Sequence, residues 1–329
     1  MNTSKLPAGV VFGTAMPHFR SFGEAKKMYD VLEKHKEVKE LDTARGYPES
    51  ERWIGELGLA KKFRTTTKAE TFQSGGGRTS SNATKERIQA AAEESLKMLG
   101  VDKVYIYLLH APDEAISWEE QMEAINELHQ QGRFEKFGIS NFTVSQTKAI
   151  HAAASSKSYV LPTVYQGSYS LLFRNIESDL FPTLRSLNIA FQAYSPMAGG
   201  FLAKNPEFIN NPPKDSRWNP RSASGNLYQY AFNRPKLMEY LRVYTELAKE
   251  TGLGQAEMAY RWARFHSALD GAKGDTLIVG ATKPEQLEET LEILEKGPLE
   301  PDVVDKLQEM WEKVKDEAPH HDYFVKYLS

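Results

Sequence analysis

The 329-residue chain contains no cysteine, which removes disulfides, thiolate nucleophiles, iron–sulfur clusters and thiolate zinc sites. Any redox chemistry must therefore rest on a bound cofactor. No apolar run approaches the ~18 residues of a membrane span. The first residues, with Lys5, Pro7, Pro17, His18 and Arg20, lack the apolar centre of a signal peptide, so the expected setting is cytoplasmic. Charge of one sign is also missing: 41 basic against 44 acidic residues leave −3, with no basic field to draw nucleic acid or anionic membrane. The P-loop, the Gly-x-Ser-x-Gly elbow and His-Glu-x-x-His are all absent, which excludes the commonest phosphate, serine-hydrolase and zincin signatures. Hydrophobic residues at 40% and charged residues at 26% are ordinary for a folded globular chain and exclude global disorder.

What is present is alternation. Short runs rich in Val, Ile, Tyr and Phe recur at 10–14, 38–43, 63–69, 103–110, 134–140, 161–166, 189–194 and 276–280. Between them lie amphipathic stretches: Ile88, Ala91, Ala92, Ser95, Leu96 and Leu99 follow helical spacing up to Gly100. Met122, Ile125 and Leu128 do so before Gly132, and Met258, Trp262 and Phe265 before the last run. Alternating strands and helices predict a parallel sheet, and eight such units predict a (β/α)8 barrel occupying residues 1–329 as one domain. Two stretches stand outside the repeat. Residues 205–235, rich in Pro, Asn, Ser and aromatics, read as a long loop after strand 7, either a lid or a surface connection. Residues 301–315 read as an extra C-terminal helix, followed by a tail with His320, His321, Tyr323 and Phe324.

Functional side chains in a barrel sit where strands end and βα loops begin. Asp42 closes the second strand with Tyr47 just beyond it, Lys68 ends the third, and His110 ends the fourth. Three consecutive strands thus deliver an acid, a cation and an imidazole to one rim. An Asp–Lys pair beside Tyr47 makes chemical sense, because an adjacent ammonium favours phenolate and should lower the tyrosine pKa from about 10. The next strands end in Ser140 and Asn141, Gln166, and Tyr194 and Ser195. Their donors and acceptors suit a carboxamide, and Tyr194 offers a ring to stack on, a combination that matches a nicotinamide. Gly75 to Ser80 imitates a dinucleotide fingerprint, but no strand-end acid follows about 20 residues later, so a flexible loop is expected there. The strand ends show no metal-ligand set.

Asp42, Tyr47, Lys68 and His110 match, in order and strand position, the catalytic tetrad of the aldo-keto reductases, and the chain resembles that family over almost its whole length. Leu109 to Asp113, Leu161 to Gly167, Pro196 to Gly200 and Gly297 to Pro301 resemble its aflatoxin aldehyde reductase branch. The resemblance implies NADPH/NADP+ as cofactor and reversible reduction of aldehydes or ketones. It assigns Tyr47 as proton donor, Lys68 as the group tuning it, Asp42 as the anchor of Lys68, and His110 as the guide of the carbonyl oxygen. Ser140, Asn141 and Gln166 would hold the carboxamide and Tyr194 the ring. Ser195, Gly199 and Gly200 would face the pyrophosphate, Arg217 and Lys283 the 2′-phosphate, and Thr282, Gln286 and Thr290 the adenosine. Val325 stands where the branch usually carries the arginine that serves carboxylated aldehydes, leaving Lys326 or Arg78 as substitutes. The expected partner is a small carbonyl compound, with neither nucleic acid nor membrane, and the chain is open to a homodimer. The alternative is a cofactor-binding regulatory module, like the potassium-channel β subunits, with little turnover.

Overall fold

The central residues of the eight apolar runs are buried, as strands covered by helices outside and side chains inside must be. The computed structural model describes residues 5–15, 21–71 and 83–320. In it β1 (Gly9–Gly13), β2 (Glu40–Asp42), β3 (Arg64–Ala69), β4 (Val104–Leu109), β5 (Phe134–Ser140), β6 (Pro162–Ser168), β7 (Ala190–Tyr194) and β8 (Thr276–Val279) pair in chain order and close into a barrel. All ladders are parallel, and the seam joins Gly9 to Thr276 and Phe12 to Val279. This is the predicted (β/α)8 architecture.

Around it run α1 (Phe22–Leu32), α2 (Ser50–Glu56), α3 (Lys85–Leu99), α4 (Trp118–Gln130), α5 (Val144–Ser156) and α6 (Leu180–Ser186). They are followed by α7 (Pro206–Asn210), α8 (Ala223–Phe232), α9 (Pro235–Thr251), α10 (Gln255–Arg261), α11 (Pro284–Glu295) and α12 (Pro301–Val314). The stripes read from sequence face inward on α3 and α4: Ile88, Ala92, Leu96 and Leu99, then Met122, Ile125 and Leu128, are buried. Gly100 ends α3 at φ 66°, the left-handed conformation that favours glycine at a helix terminus. Helix α12 is the predicted extra helix and packs on α9.

Two expectations need correction. The long loop at 205–235 is largely folded, because Asn205 and Ser222 cap α7 and α8 by accepting from Phe208 N (2.9 Å) and Gly225 N (3.0 Å). The stripe of Met258, Trp262 and Phe265 breaks after α10, where Trp262–His266 forms one π turn. The wider turn shifts the helical register, leaving Trp262 buried and Phe265 only half-buried.

Strand alternation decides what enters the barrel. Outward residues of β4, Tyr107 and Leu109, join the main core beneath the helices, while Ile106 and Leu108 meet Val164 in a separate inner cluster. Gly138 on β5 faces that cluster, where a Cβ would stand 2.3 Å from Leu108 and 2.6 Å from the Val164 carbonyl. Only glycine fits there. The same period carries Ile106 and Leu108 on to His110, and Thr66 on to Lys68, so the polar residues at the strand ends look into the barrel mouth.

Candidate active site

Lys68 is fully buried, and its Nζ donates to both carboxylate oxygens of Asp42 at 2.8 Å and to the Thr43 carbonyl at 2.8 Å. A buried ammonium needs such saturation, since an unpaired one would be desolvated without return. Burial still pulls Lys68 below the usual lysine range, with Asp42 opposing that pull. The barrel mouth is braced by hydroxyls: Ser50 Oγ donates to Thr14 Oγ1 (2.7 Å), which donates to the Asp42 carbonyl (2.8 Å), and Thr43 Oγ1 lies 2.8 Å from Ser50 Oγ.

Tyr47 sits in the turn after β2, its backbone N donating to the Ala44 carbonyl at 3.0 Å. Its ring centroid lies 5.0 Å from Lys68 Nζ and 5.7 Å from the His110 ring, which meets it edge-on at 75°. The sequence argument for a lowered tyrosine pKa is overturned. Burial, with the Asp42 charge adding, pushes the Tyr47 phenol well above its ordinary value. Loss of hydration around the phenol is the larger cause, and it outweighs the pull of the Lys68 ammonium 5.0 Å from the ring. His110 is held well below its usual value by burial and by Lys68, so its imidazole is neutral near pH 7.

The remaining strand ends face the same opening. Asn141, in the left-handed region at φ 63°, donates through Nδ2 to the His110 carbonyl (3.0 Å) and accepts the Tyr194 hydroxyl at Oδ1 (2.7 Å). A non-glycine residue in that conformation is held there by its surroundings. Gln166 Nε2 donates to Asp42 Oδ1 (2.7 Å) and Gln192 Oε1 (3.1 Å). Ser140 is wholly buried beside Asn141.

One cavity of about 500 Å³ runs from this mouth across the strand ends to α11. Every candidate residue lines it except Lys68, which stands behind Asp42, and Lys283, an exposed residue at the start of α11. Midway, Ser195, Ala198, Gly199 and Gly200 all have positive φ, from 50° to 92°. A Cβ on Gly199 would lie 2.5 Å from the Tyr228 ring. Tyr228, from α8, stacks on Trp218 at 5.2 Å, accepts a hydrogen bond from Arg217 and carries its guanidinium 5.0 Å from the ring centroid. Trp218 Nε1 donates to the Gly199 carbonyl at 3.3 Å, so the 205–235 segment clamps the glycine turn. At the far end Gln286 Oε1 accepts from Thr282 N (3.0 Å) and Oγ1 (3.1 Å), and Thr290 Oγ1 donates to the Gln286 carbonyl (2.8 Å).

Sequence reasoning missed Tyr228, Gln192 and Glu289, the last a carboxylate on the far wall. Gln192 left a signal, a polar residue in register with Gln166 on an otherwise apolar strand. Tyr228 left none, because its helix was read as loop. Gly75 to Ser80, Arg78, and the tail with His321, Tyr323, Phe324, Val325 and Lys326 lie outside the described residues.

A closed parallel barrel with a buried Lys–Asp pair, a tyrosine and a neutral histidine at one mouth is the framework of a carbonyl oxidoreductase. The profile of the Aldo/keto reductase family matches residues 10–312, and the chain belongs to that family. It is 39% identical over 298 residues to the "Oxidoreductase sirO" of Leptosphaeria maculans, covering 90% of this chain and 88% of that protein. To the human "Aflatoxin B1 aldehyde reductase member 2" it is 35% identical over 298 residues, 86% of this chain and 80% of the other. The human member 4 is 33% identical over 305 residues. These similarities do not support a homodimer. No helix among the described residues is long and apolar enough to cross a membrane.

Proposed function

We propose that the chain is a single-domain, NADPH-dependent reductase of aldehydes and ketones in which Tyr47 gives the proton. The observation that carries this reading is the barrel mouth, where Tyr47 and a neutral His110 line a cavity above a fully buried Lys68–Asp42 pair.

The cavity's donor set fits the cofactor along its length. Ser140, Asn141 and the Gln166 amide group offer a polar seat for a carboxamide beside the Tyr194 ring. Two glycines at positive φ leave room for close backbone approach, and a Cβ on Gly200 would meet only Trp218 Nε1, at 3.9 Å. Arg217 supplies the cation for phosphate, and Thr282, Gln286, Glu289 and Thr290 offer hydrogen-bonding groups for an adenosine. When bound, NADPH supplies the hydride that the carbonyl carbon receives.

The chain's own residues do the rest. A Tyr47 whose pKa is raised stays protonated at neutral pH, which keeps a proton ready for the carbonyl oxygen as negative charge develops there. His110, neutral and edge-on to Tyr47, donates from its imidazole to the same oxygen and fixes its direction. The Lys68 ammonium behind Tyr47 steadies the tyrosinate left after transfer, and Asp42 keeps that ammonium charged. Gln166 holds Asp42 in place.

The test is steady NADPH oxidation with nitrobenzaldehydes and dicarbonyls. Turnover is expected across reactive members of the panel. Bound cofactor without turnover on any of them refutes the enzyme reading and favours the regulatory module.

A further inference from the structure

The loop between α1 and β2 and the C-terminal end of α11 meet at the N-terminal face of the barrel, opposite the candidate active site. There the His35 ring is nine-tenths buried among three carboxylates. Its Nδ1 lies 3.5 Å from Glu37 Oε1 and 3.4 Å from Glu295 Oε1, and its Nε2 lies 3.4 Å from Glu288 Oε1.

These separations are long for charge-assisted hydrogen bonds, which run at about 2.7 to 2.9 Å. They suit another geometry. A tetrahedral zinc with ligands at about 2.0 to 2.1 Å sets neighbouring ligand atoms about 3.3 to 3.4 Å apart. Nδ1 stands at that spacing from one oxygen of each of two carboxylates, and all three atoms lie within 4.8 Å of one another. Glu37 Oε1, the atom facing Nδ1, is buried without a hydrogen-bond partner, a state that calls for a water or an ion. On the other side of the ring Glu288 Oε1 faces Nε2 at 3.4 Å, a loose contact that favours the tautomer with the proton on Nε2 and Nδ1 free to ligate.

The surrounding cations do not fill this place. Lys34 pairs with Glu288 at 3.4 Å, on the outer side. Arg264 feels the charges of Glu37 and Glu295, donates to the Leu294 carbonyl at 2.8 Å, and forms no ion pair with either carboxylate among the described residues.

We propose that His35, Glu37 and Glu295 form a binding site for a divalent transition metal of zinc type, which joins the first βα unit of the barrel to the last. Solvent completes the fourth position, since Glu295 is half exposed. The site lies on the face where barrels hold residues for stability, so its role is structural, remote from carbonyl chemistry.

The experiment adds zinc chloride to the full chain in a non-chelating buffer, with calorimetric titration and thermal unfolding as readouts. Expected is a saturable site of one zinc per chain that raises Tm, weakened at least tenfold by Glu295→Gln, which alters only a half-exposed carboxylate, and abolished by His35→Ala. Glu288→Gln should weaken it by about tenfold, the usual effect of disturbing a ligand's supporting hydrogen bond. Should His35→Ala fail to fold, the two glutamine variants decide. No saturable zinc binding, or affinity unchanged by both glutamine substitutions, overturns the proposal.

Discussion

Asp42→Asn preserves the side chain's outline at the barrel mouth and removes its charge. Lys68 Nζ contacts both Asp42 oxygens at 2.8 Å, and Gln166 Nε2 reaches Oδ1 at 2.7 Å. An asparagine NH2 must therefore face one donor or the other. Lys68 keeps one amide oxygen and the Thr43 carbonyl as acceptors but loses its counter-charge. Removing one partner of a buried ion pair costs about 3 to 5 kcal/mol. At about 2.1 cal/mol/K of unfolding entropy per residue over 329 residues, Tm falls by roughly 4 to 7 °C. The sign with pH is also determined. Burial holds folded Lys68 below its ordinary value, and losing Asp42 lowers it further, while the unfolded lysine stays near about 10.4. Below the folded value both states are charged and the full penalty applies. As pH rises from there toward about 10.4 the unfolded chain holds more protons, so the variant regains stability. Urea unfolding at about pH 7 and about pH 10 should show the gap to wild type narrowing. A gap under about 1 kcal/mol at the lower pH, or one that widens as pH rises, refutes the account of Lys68 as a buried charge dependent on Asp42.

Tyr47→Phe should lower kcat by about 10²-fold or more while NADPH affinity, read by fluorescence titration, stays near wild type; a variant keeping most of its kcat removes Tyr47 as the proton donor. Because burial raises the Tyr47 pKa, kcat for reduction should be flat from about pH 6 to about pH 9, and a half-maximal point near pH 7 would contradict that direction. Arg217→Ala should erode the preference for NADPH over NADH by about tenfold or more, charge-assisted contacts being worth roughly 1.5 to 3 kcal/mol, as dissociation constants for both cofactors will show. With Val325 in the branch's arginine position, neutral aromatic aldehydes should exceed succinic semialdehyde in kcat/KM, and Val325→Arg should narrow that difference.

The strands were legible because each couples β-branched and aromatic residues to a clear flank. Residues 134–140 match β5 at both ends. The rule that functional side chains stand where barrel strands end then puts Lys68 and His110 at the mouth. The α7 and α8 segments were obscured by composition, although Asn205-Pro206 is a readable cap followed by a proline fitted to a first helical turn. Other facts could not be read at all. The direction of the Tyr47 shift depends on depth and on the Asp42 charge beside it, neither of which is a property of spacing. Gln166 shows the same limit: its residue type suggested a carboxamide seat, while its amide N–H groups donate to Asp42 and Gln192.

The residues proposed to handle the proton all come from positions 42 to 110, and the cavity proposed for the cofactor is walled mainly by residues from 140 to 293. The Asp42–Lys68 contact spans only 26 residues, whereas the barrel seam joins residue 9 to residue 276. During synthesis from the N-terminus, the residues proposed to handle the proton thus emerge well before the proposed cofactor wall. Since a domain folds as a unit and Gln166 and Asn141 hold Asp42 and the His110 backbone, neither part is complete until β8 closes on β1. The wall's last part, α11, emerges only after all eight strands. If the proposed function holds, a nascent chain consumes no reducing equivalents, and reactivity is withheld until the barrel shuts.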